Sequence, residues 1–324
     1  MNGKLRRLRV ARHVGPNNMK TLFVGAGAVG ALFGAALHQH GADVRFLVRP
    51  ARKALIDAEG LTLELPSGEM HVQPRTVTAD ELDSGYDLIV LTNKAPALES
   101  VIADIAPAVG PNTHILPLLN GLRHLERLDE AFGQERVLGG IAKTIATQAT
   151  PTRIRVGNAY SSLTVGARTP GQQAKARAVW ELLSEAGIAA EFSDRIMDDM
   201  WDKFCRMASL GAANCLLQGT VGEYMRSQAG GAIALQLLRE CTDTAQAAGH
   251  PMHPQDIAGF QRALTNPKSS FNSSMYRDMR AGLPIEGEHL VGDMLRRSEA
   301  AGLASPMLAV ANAVLQTYSA KREG

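Results

Sequence analysis

The stretch GAGAVG, Gly25 to Gly30, places three glycines at the spacing by which a tight turn can cradle a pyrophosphate. It follows an apolar run, Thr21 to Val24, and opens a helix-period stretch, Val29 to His40, so the pattern sits where the chemistry needs it. Gly25 permits the turn, Gly27 lets phosphate approach the backbone, and Gly30 lets helix and strand close up. Ala26, Ala28 and Val29 complete a loop whose amides and helix N-terminus face the anion. About 20 residues further on, at the end of the next strand, an NAD-binding unit carries an acid for the ribose hydroxyls. Here that place is Arg49 in FLVRPARK, with Arg52 and Lys53 behind it, a set that suits a 2′-phosphate and points to NADP(H). A solvated basic turn is the plain alternative. A second group stands out in DDMWDKFCRMASLGAANCLLQG, where Lys203 interrupts a helix that is apolar nearly all round. A snorkelling stem or a working ammonium would each account for it.

These groups need a frame, and the first half of the chain supplies one by alternating strand and helix. Apolar runs at 21–24, 43–48, 86–92, 113–119 and 136–146 are separated by helix-period segments, which predicts a mainly parallel, doubly wound sheet. Residues 154–166 read as a hairpin turning at Gly157-Asn158, followed by a helix over 172–186 and a short strand, IAAEFS. Beyond Asp194 the pattern changes to long helical stretches at 196–218, 229–249, 254–265, 285–301 and 304–320. The expectation is an α/β protein: a Rossmann-type nucleotide-binding domain over 19–193 and an all-helical substrate and catalytic domain over 194–324. Lys94 in LTNKAPALES and Asn120-Gly121 in LPLLNGLRHLE both follow strand ends, where ligands of open α/β sheets bind, although an ordinary loop role accounts for either alone.

Composition narrows the function class. A chain of 324 residues with net charge +2 announces neither nucleic acid nor an anionic membrane, and small-molecule chemistry is the better expectation. Cys205, Cys215 and Cys241 form no CxxC pair and lie in apolar stretches, which suits a reducing cytoplasm and speaks against a disulfide scaffold or structural zinc. HPMH, 250–253, has no neighbouring carboxylate or cysteine in sequence, so no metal site is expected. No run approaches the roughly 18 apolar residues of a membrane span. The basic segment MNGKLRRLRVARHVGPNN lacks the apolar core of a secretory signal, and Met19 stands directly before the first strand. Residues 1–18 are therefore expected to be a disordered basic extension that contributes nothing to the fold.

Taken in order, the glycine loop, Arg49, Lys94 after LIVLT, Asn120-Gly121, Lys203 in WDK, and SSM with Glu286 twelve residues after Ser274 resemble the ketopantoate reductase family. Its members reduce 2-dehydropantoate to pantoate with NADPH. The resemblance runs over almost the whole chain from Met19. It implies that Lys203 is the catalytic lysine, that Glu286 is the acid near the nicotinamide ribose and substrate, and that Ser274 binds substrate. Lys94 and Asn120 match cofactor-contacting positions. The chemistry fits these types: hydride arriving at a ketone carbon leaves charge on oxygen, which an ammonium can stabilise and protonate. Otherwise Glu286 is a surface acid and Ser274 a helix cap.

The chain departs from the family at three places. The family presents asparagines four and eight residues after the lysine and another before a later GE; here these are Met207, Gly211 and Val221. Asn214 lies on roughly the same helix face as Lys203 but about 16 Å along the axis, too far to stand in for them. Arg277 and Arg206 are the remaining forks for a substrate carboxylate, and Arg277, close after Ser274, is the expected one. Pairing with Asp278 or Glu286 is its plain alternative. The default substrate is ketopantoate, with a more apolar keto substrate or a non-catalytic NADP-binding regulator as alternatives. An apolar helical domain leaves a homodimer open.

Overall fold

A computed structural model of the chain describes residues 19–157 and 161–323. The extension expected at 1–18 and the turn residue Asn158 lie outside the described residues. The chain forms two compact units. The first runs to Ile196 apart from Asn120–Arg123, a short segment that belongs with the second, which continues from Met197.

In the first unit β1 (Thr21–Val24), α1 (Ala28–Gln39) and β2 (Val44–Leu47) make the expected βαβ start. The chain continues through α2 (Pro50–Glu59), β3 (Leu61–Leu65), β4 (Gly68–Val72), β5 (Arg75–Val77), β6 (Leu88–Leu91), α3 (Leu98–Ile105), β7 (His114–Pro117) and α4 (Arg123–Phe132). Five of these strands form one wholly parallel sheet in the order β5-β2-β1-β6-β7. Because β2 lies on one side of β1 and β6 on the other, the winding reverses at β1, which opens a crevice at the carboxyl ends of the strands. Strands β1 and β6 are buried at every position, as strands covered on both faces must be. Phe23 and Phe46 set their ring centroids 5.6 Å apart in the core beneath α1, whose Ala31, Phe33, Ala35 and Leu37 are buried.

The rest of this unit differs from the sequence expectation. The run 136–146 holds one strand, β8 (Gly139–Lys143), and its last residue opens another, β9 (Ala146–Gln148), which lies in a different sheet. Nor do 154–166 form a hairpin. Strand β10 (Arg153–Val156) pairs with β3 and β9, whereas β11 (Ser162–Gly166) pairs with β8 and with β12 (Ala189–Ser193), which follows α5 (Gln173–Glu185). Alternation fixes which face of a strand is buried, not which strand lies beside it. Strand β11 is buried throughout and takes a neighbour on each edge, which a two-stranded hairpin cannot provide.

The second unit is helical: α6 (Ile196–Leu217), α7 (Val221–Tyr224), α8 (Gly230–Ala247), α9 (Pro254–Leu264), α10 (Ser274–Arg280), α11 (Asp293–Ala300) and α12 (Pro306–Glu323). Asp198 and Asp199 favour the start of α6 through the helix dipole, and Trp201, Phe204, Cys205, Ala208, Ala212 and Cys215 bury its body. The start of α12 is capped from afar: the buried carboxylate of Glu240 accepts hydrogen bonds from the backbone N–H groups of Met307 (3.2 Å) and Leu308 (2.8 Å). The helix expected at 285–301 is not regular. Residues Glu288–Gly292 form a π turn that runs into α11, a distortion found frequently at functional sites. Among the described residues no helix is long and apolar enough to cross a membrane.

Candidate active site

At the carboxyl edge of the parallel sheet lies a cleft of about 510 Å³. The end of β1 contributes Gly25, Ala26 and Gly27, the end of β2 Arg49, and the segments after β5 and β6 Thr78, Asp80 and Asn93. The glycines act as the pattern requires. Gly25 has φ +93°, a β-carbon at Gly27 would meet nothing within 4 Å, and one at Gly30 would fall on the carbonyl of Gly25 and the hydroxyl of Thr92. The open face at Gly27 is where a phosphate can reach the backbone. Ala28, Val29 and Gly30 form the first turn of α1.

Of the three cations after β2, two belong to this cleft. Arg49 is exposed at the N-terminal cap of α2, and Arg52 lines the wall while donating to the carbonyl of Ala26 at 2.8 Å. Burial lowers the Arg52 guanidinium below its usual range. Lys53 is held elsewhere, by Asp57 at 2.9 Å and Glu81 at 3.9 Å. Lys94 is exposed at the cap of the turn Ala95–Ala97 and does not line the cleft.

Sequence reasoning passed over Asn93, Thr78, Asp80 and Gln148, which also line the cleft. Asn93 had a signal, its place two residues after the end of β6. Its Nδ2 donates to the carbonyl of Lys94, while its buried Oδ1 has no partner among the described residues, an acceptor left for a ligand donor. Asp80 carries a carboxyl held below its usual range by hydrogen bonding from Thr78. A glycine-lined floor, two guanidinium groups and an unmatched acceptor fit the phosphates and ribose of a dinucleotide.

The second unit gathers another group. Asn120 Nδ2 donates to Glu286 Oε2 at 3.5 Å, joining residues 166 apart in sequence. Gly121, with φ +79°, lets the backbone approach the π turn so closely that a β-carbon there would lie 2.8 Å from the carbonyl oxygen of His289. The carbonyl of Glu286 accepts from the N–H groups of His289 and Leu290. Burial holds the His289 imidazole below its usual range, and the nearby Glu286 carboxylate partly opposes this. Lys203 is half-buried on α6, followed one and two turns later by half-buried Met207 and buried Gly211.

The other expected residues are placed as follows. Ser274 is exposed as the first residue of α10, but its neighbour Ser273 is the cap, accepting from the N–H of Tyr276 at 3.1 Å. Arg277 is exposed and donates to the side chain of Asn272 at 2.9 Å. Arg206 is bound by Asp202 through two hydrogen bonds and lies 3.5 Å from Asp256. Asn214 is fully buried, donating to Gly219 and accepting from the N–H of Ser273. The fold does bring a carboxylate to HPMH: His250 meets Asp198 at 2.6 Å and stacks on Trp201.

Comparison with known proteins bears on the whole chain. The family model described as Ketopantoate reductase PanE/ApbA matches residues 21–170, and its C-terminal counterpart matches 195–319. The chain is 33% identical over 306 residues to the Uncharacterized oxidoreductase YkpB of Bacillus subtilis, covering 94% of this chain and 100% of that protein. A 2-dehydropantoate 2-reductase of Streptococcus pyogenes is 24% identical over 261 residues, covering 81% and 85% of the two chains. Among solved structures, a PanE/ApbA family ketopantoate reductase from Ralstonia eutropha superposes with a TM-score of 0.83 at 25% identity, covering 94% and 100%. A D-mandelate dehydrogenase crystallised with NADH and anilino(oxo)acetate shares the fold, with a TM-score of 0.84 at 23% identity over 94% and 99%. The chain is an oxidoreductase and belongs to the ketopantoate reductase family.

Proposed function

We propose that the protein reduces a 2-oxo acid to the 2-hydroxy acid with NADPH, residues 19–193 holding the cofactor and 194–324 supplying the catalytic groups. The observation that carries the cofactor reading is the cleft wall after β2, where Arg49 and Arg52 take the place of the ribose-binding acid, while the carboxylates that line the cleft, Asp80 and Asp104, come from other segments. Gly25, Gly27 and the start of α1 hold the pyrophosphate, and the two arginines receive the 2′-phosphate. The bound cofactor supplies a hydride to the keto carbon. Lys203 steadies the oxygen as it gains charge and gives it a proton, so that the carbonyl becomes an alcohol. Glu286, held by Asn120, orients the lysine or the substrate. Ser274 and Arg277 serve the substrate carboxylate.

The test is NADPH oxidation over a panel of 2-oxo acids, with Lys203→Ala alongside. Turnover falls about 10² to 10⁴-fold in the variant, while NADPH affinity is unchanged. Equal turnover would refute the role of Lys203. Tight NADPH binding with no accepted oxo acid would favour a regulator instead.

A further inference from the structure

The face of α6 that carries Lys203 continues through Met207 and Gly211, at about 6 and 12 Å along the axis. Gly211 is not an empty place. A β-carbon there would lie 2.6 Å from the terminal methyl of Met275 and 3.9 Å from the hydroxyl of Ser273. The thioether of Met275, buried in the first turn of α10, thus fills the volume that a side chain at 211 would take.

The seating of α10 is fixed. The N–H of Ser273 donates to Asn214 Oδ1 at 2.9 Å, and the Ser273 hydroxyl accepts from Tyr276. The same bonds remove the one amide on this stretch of α6 from any ligand, since Asn214 Nδ2 is bound to Gly219 at 2.7 Å. Val221 is fully buried and its N–H is bonded to the carbonyl of Phe271. Beyond Lys203, then, this side of the unit presents methionine rather than amide.

From this we infer that Met207 and Met275, with Gly211, determine specificity, and that the substrate is a 2-oxo acid with a purely hydrocarbon side chain, branched or aromatic, and no hydroxyl. The inference rests on the oxo-acid reductase reading. Two flexible thioethers adapt to a bulky apolar group and contact aromatic rings favourably. A substrate hydroxyl brought against them loses its water and gains no partner.

An isosteric pair isolates this term. 2-Dehydropantoate and 3,3-dimethyl-2-oxopentanoate differ only in a terminal hydroxyl against a methyl. The wild-type protein with NADPH gives kcat/KM about 10 to 100-fold higher for the methyl compound, the range by which an apolar pocket discriminates against an added hydroxyl. Met207→Asn, a polar change at a half-buried position, moves the ratio about tenfold or more toward the hydroxyl compound, as does Gly211→Asn combined with Met275→Ala. Equal use of the pair by the wild type, or preference for 2-dehydropantoate, overturns the inference while leaving the reductase reading intact. Failure of every oxo acid to oxidise NADPH removes both. Should the variants not fold, the wild-type ratio decides.

Discussion

Gly121→Ala tests how tightly the second unit holds Glu286. The alanine meets two separate costs. Its backbone must adopt φ +79°, and its β-carbon must fit 2.8 Å from the carbonyl oxygen of His289 in the π turn. The left-handed conformation costs about 1 to 2 kcal/mol for a residue with a β-carbon. Overlap with a backbone atom, which cannot rotate away, adds about 1 to 3 kcal/mol. Gly249→Ala separates the two, because Gly249 has φ +84° and nothing within 4 Å of its β-carbon position. Denaturation in urea should therefore show Gly121→Ala less stable than Gly249→Ala by the overlap alone, about 1 to 3 kcal/mol. Turnover should fall only in Gly121→Ala, because relief of the overlap shifts the π turn away from Asn120. Equal stability losses together with wild-type turnover in both variants would refute the idea that Gly121 seats Glu286.

Other outcomes follow from the first unit and from the half-buried imidazoles. Arg49→Ala weakens NADPH binding by about 1.5 to 3 kcal/mol, the loss of a hydrogen bond to a charged group, and leaves NADH binding little changed; equal losses for both cofactors would show that Arg49 does not read the 2′-phosphate. Gly27→Ala should melt as the wild type does yet bind cofactor poorly in titration, since its β-carbon meets only open space, whereas Gly30→Ala should be destabilised before any cofactor is added. Burial chiefly holds His38, His114 and His289 below the usual imidazole range. Once unfolded, these rings take up protons near their ordinary pKa of about 6.5, so the unfolded state binds more protons just below that pH and stability falls as the medium is acidified through this window. Melting curves between neutral and mildly acidic pH check the sign, and a melting temperature that rose on acidification would contradict it.

How much of this was readable beforehand depends on how far apart the cooperating residues lie. The glycine loop and Arg49 act within one βαβ unit, where a turn and the next strand end have a nearly fixed relation, so their spacing carried the inference. Lys203 stood out through the WDK of the family resemblance rather than by charge alone, since Asp202 and Arg206 flank it on the same helix. Asn93, Asp80 and Gln148 reach the same cleft from separate strand ends, and no local pattern records that convergence. The bond from Asn120 to Glu286 and the filling of Gly211 by Met275 are tertiary facts of the same kind. The misread hairpin has a related origin: Ile154 and Val156 alternate as a hairpin arm would, but their strand takes its neighbours from β3 and β9. Helix α10 entered only as the helix that Ser274 would cap, because its seven residues are too few for a period to register, and its cap is Ser273 instead.

The assignment of Asn120–Arg123 to the second unit means that the backbone passes between the units three times, after Leu119, after Arg123 and after Ile196. A gene cut at the last of these points would not yield a complete helical module. The fragment from Met197 onward would keep Glu286 and the π turn but lack the asparagine that binds one and the glycine that admits the other. Chimeras that exchange cofactor and substrate halves between relatives at a single splice would pair each π turn with a foreign Asn-Gly segment. Transplanting residues 120–123 together with the helices keeps that joint native, a condition that a split or grafted version of this chain must meet.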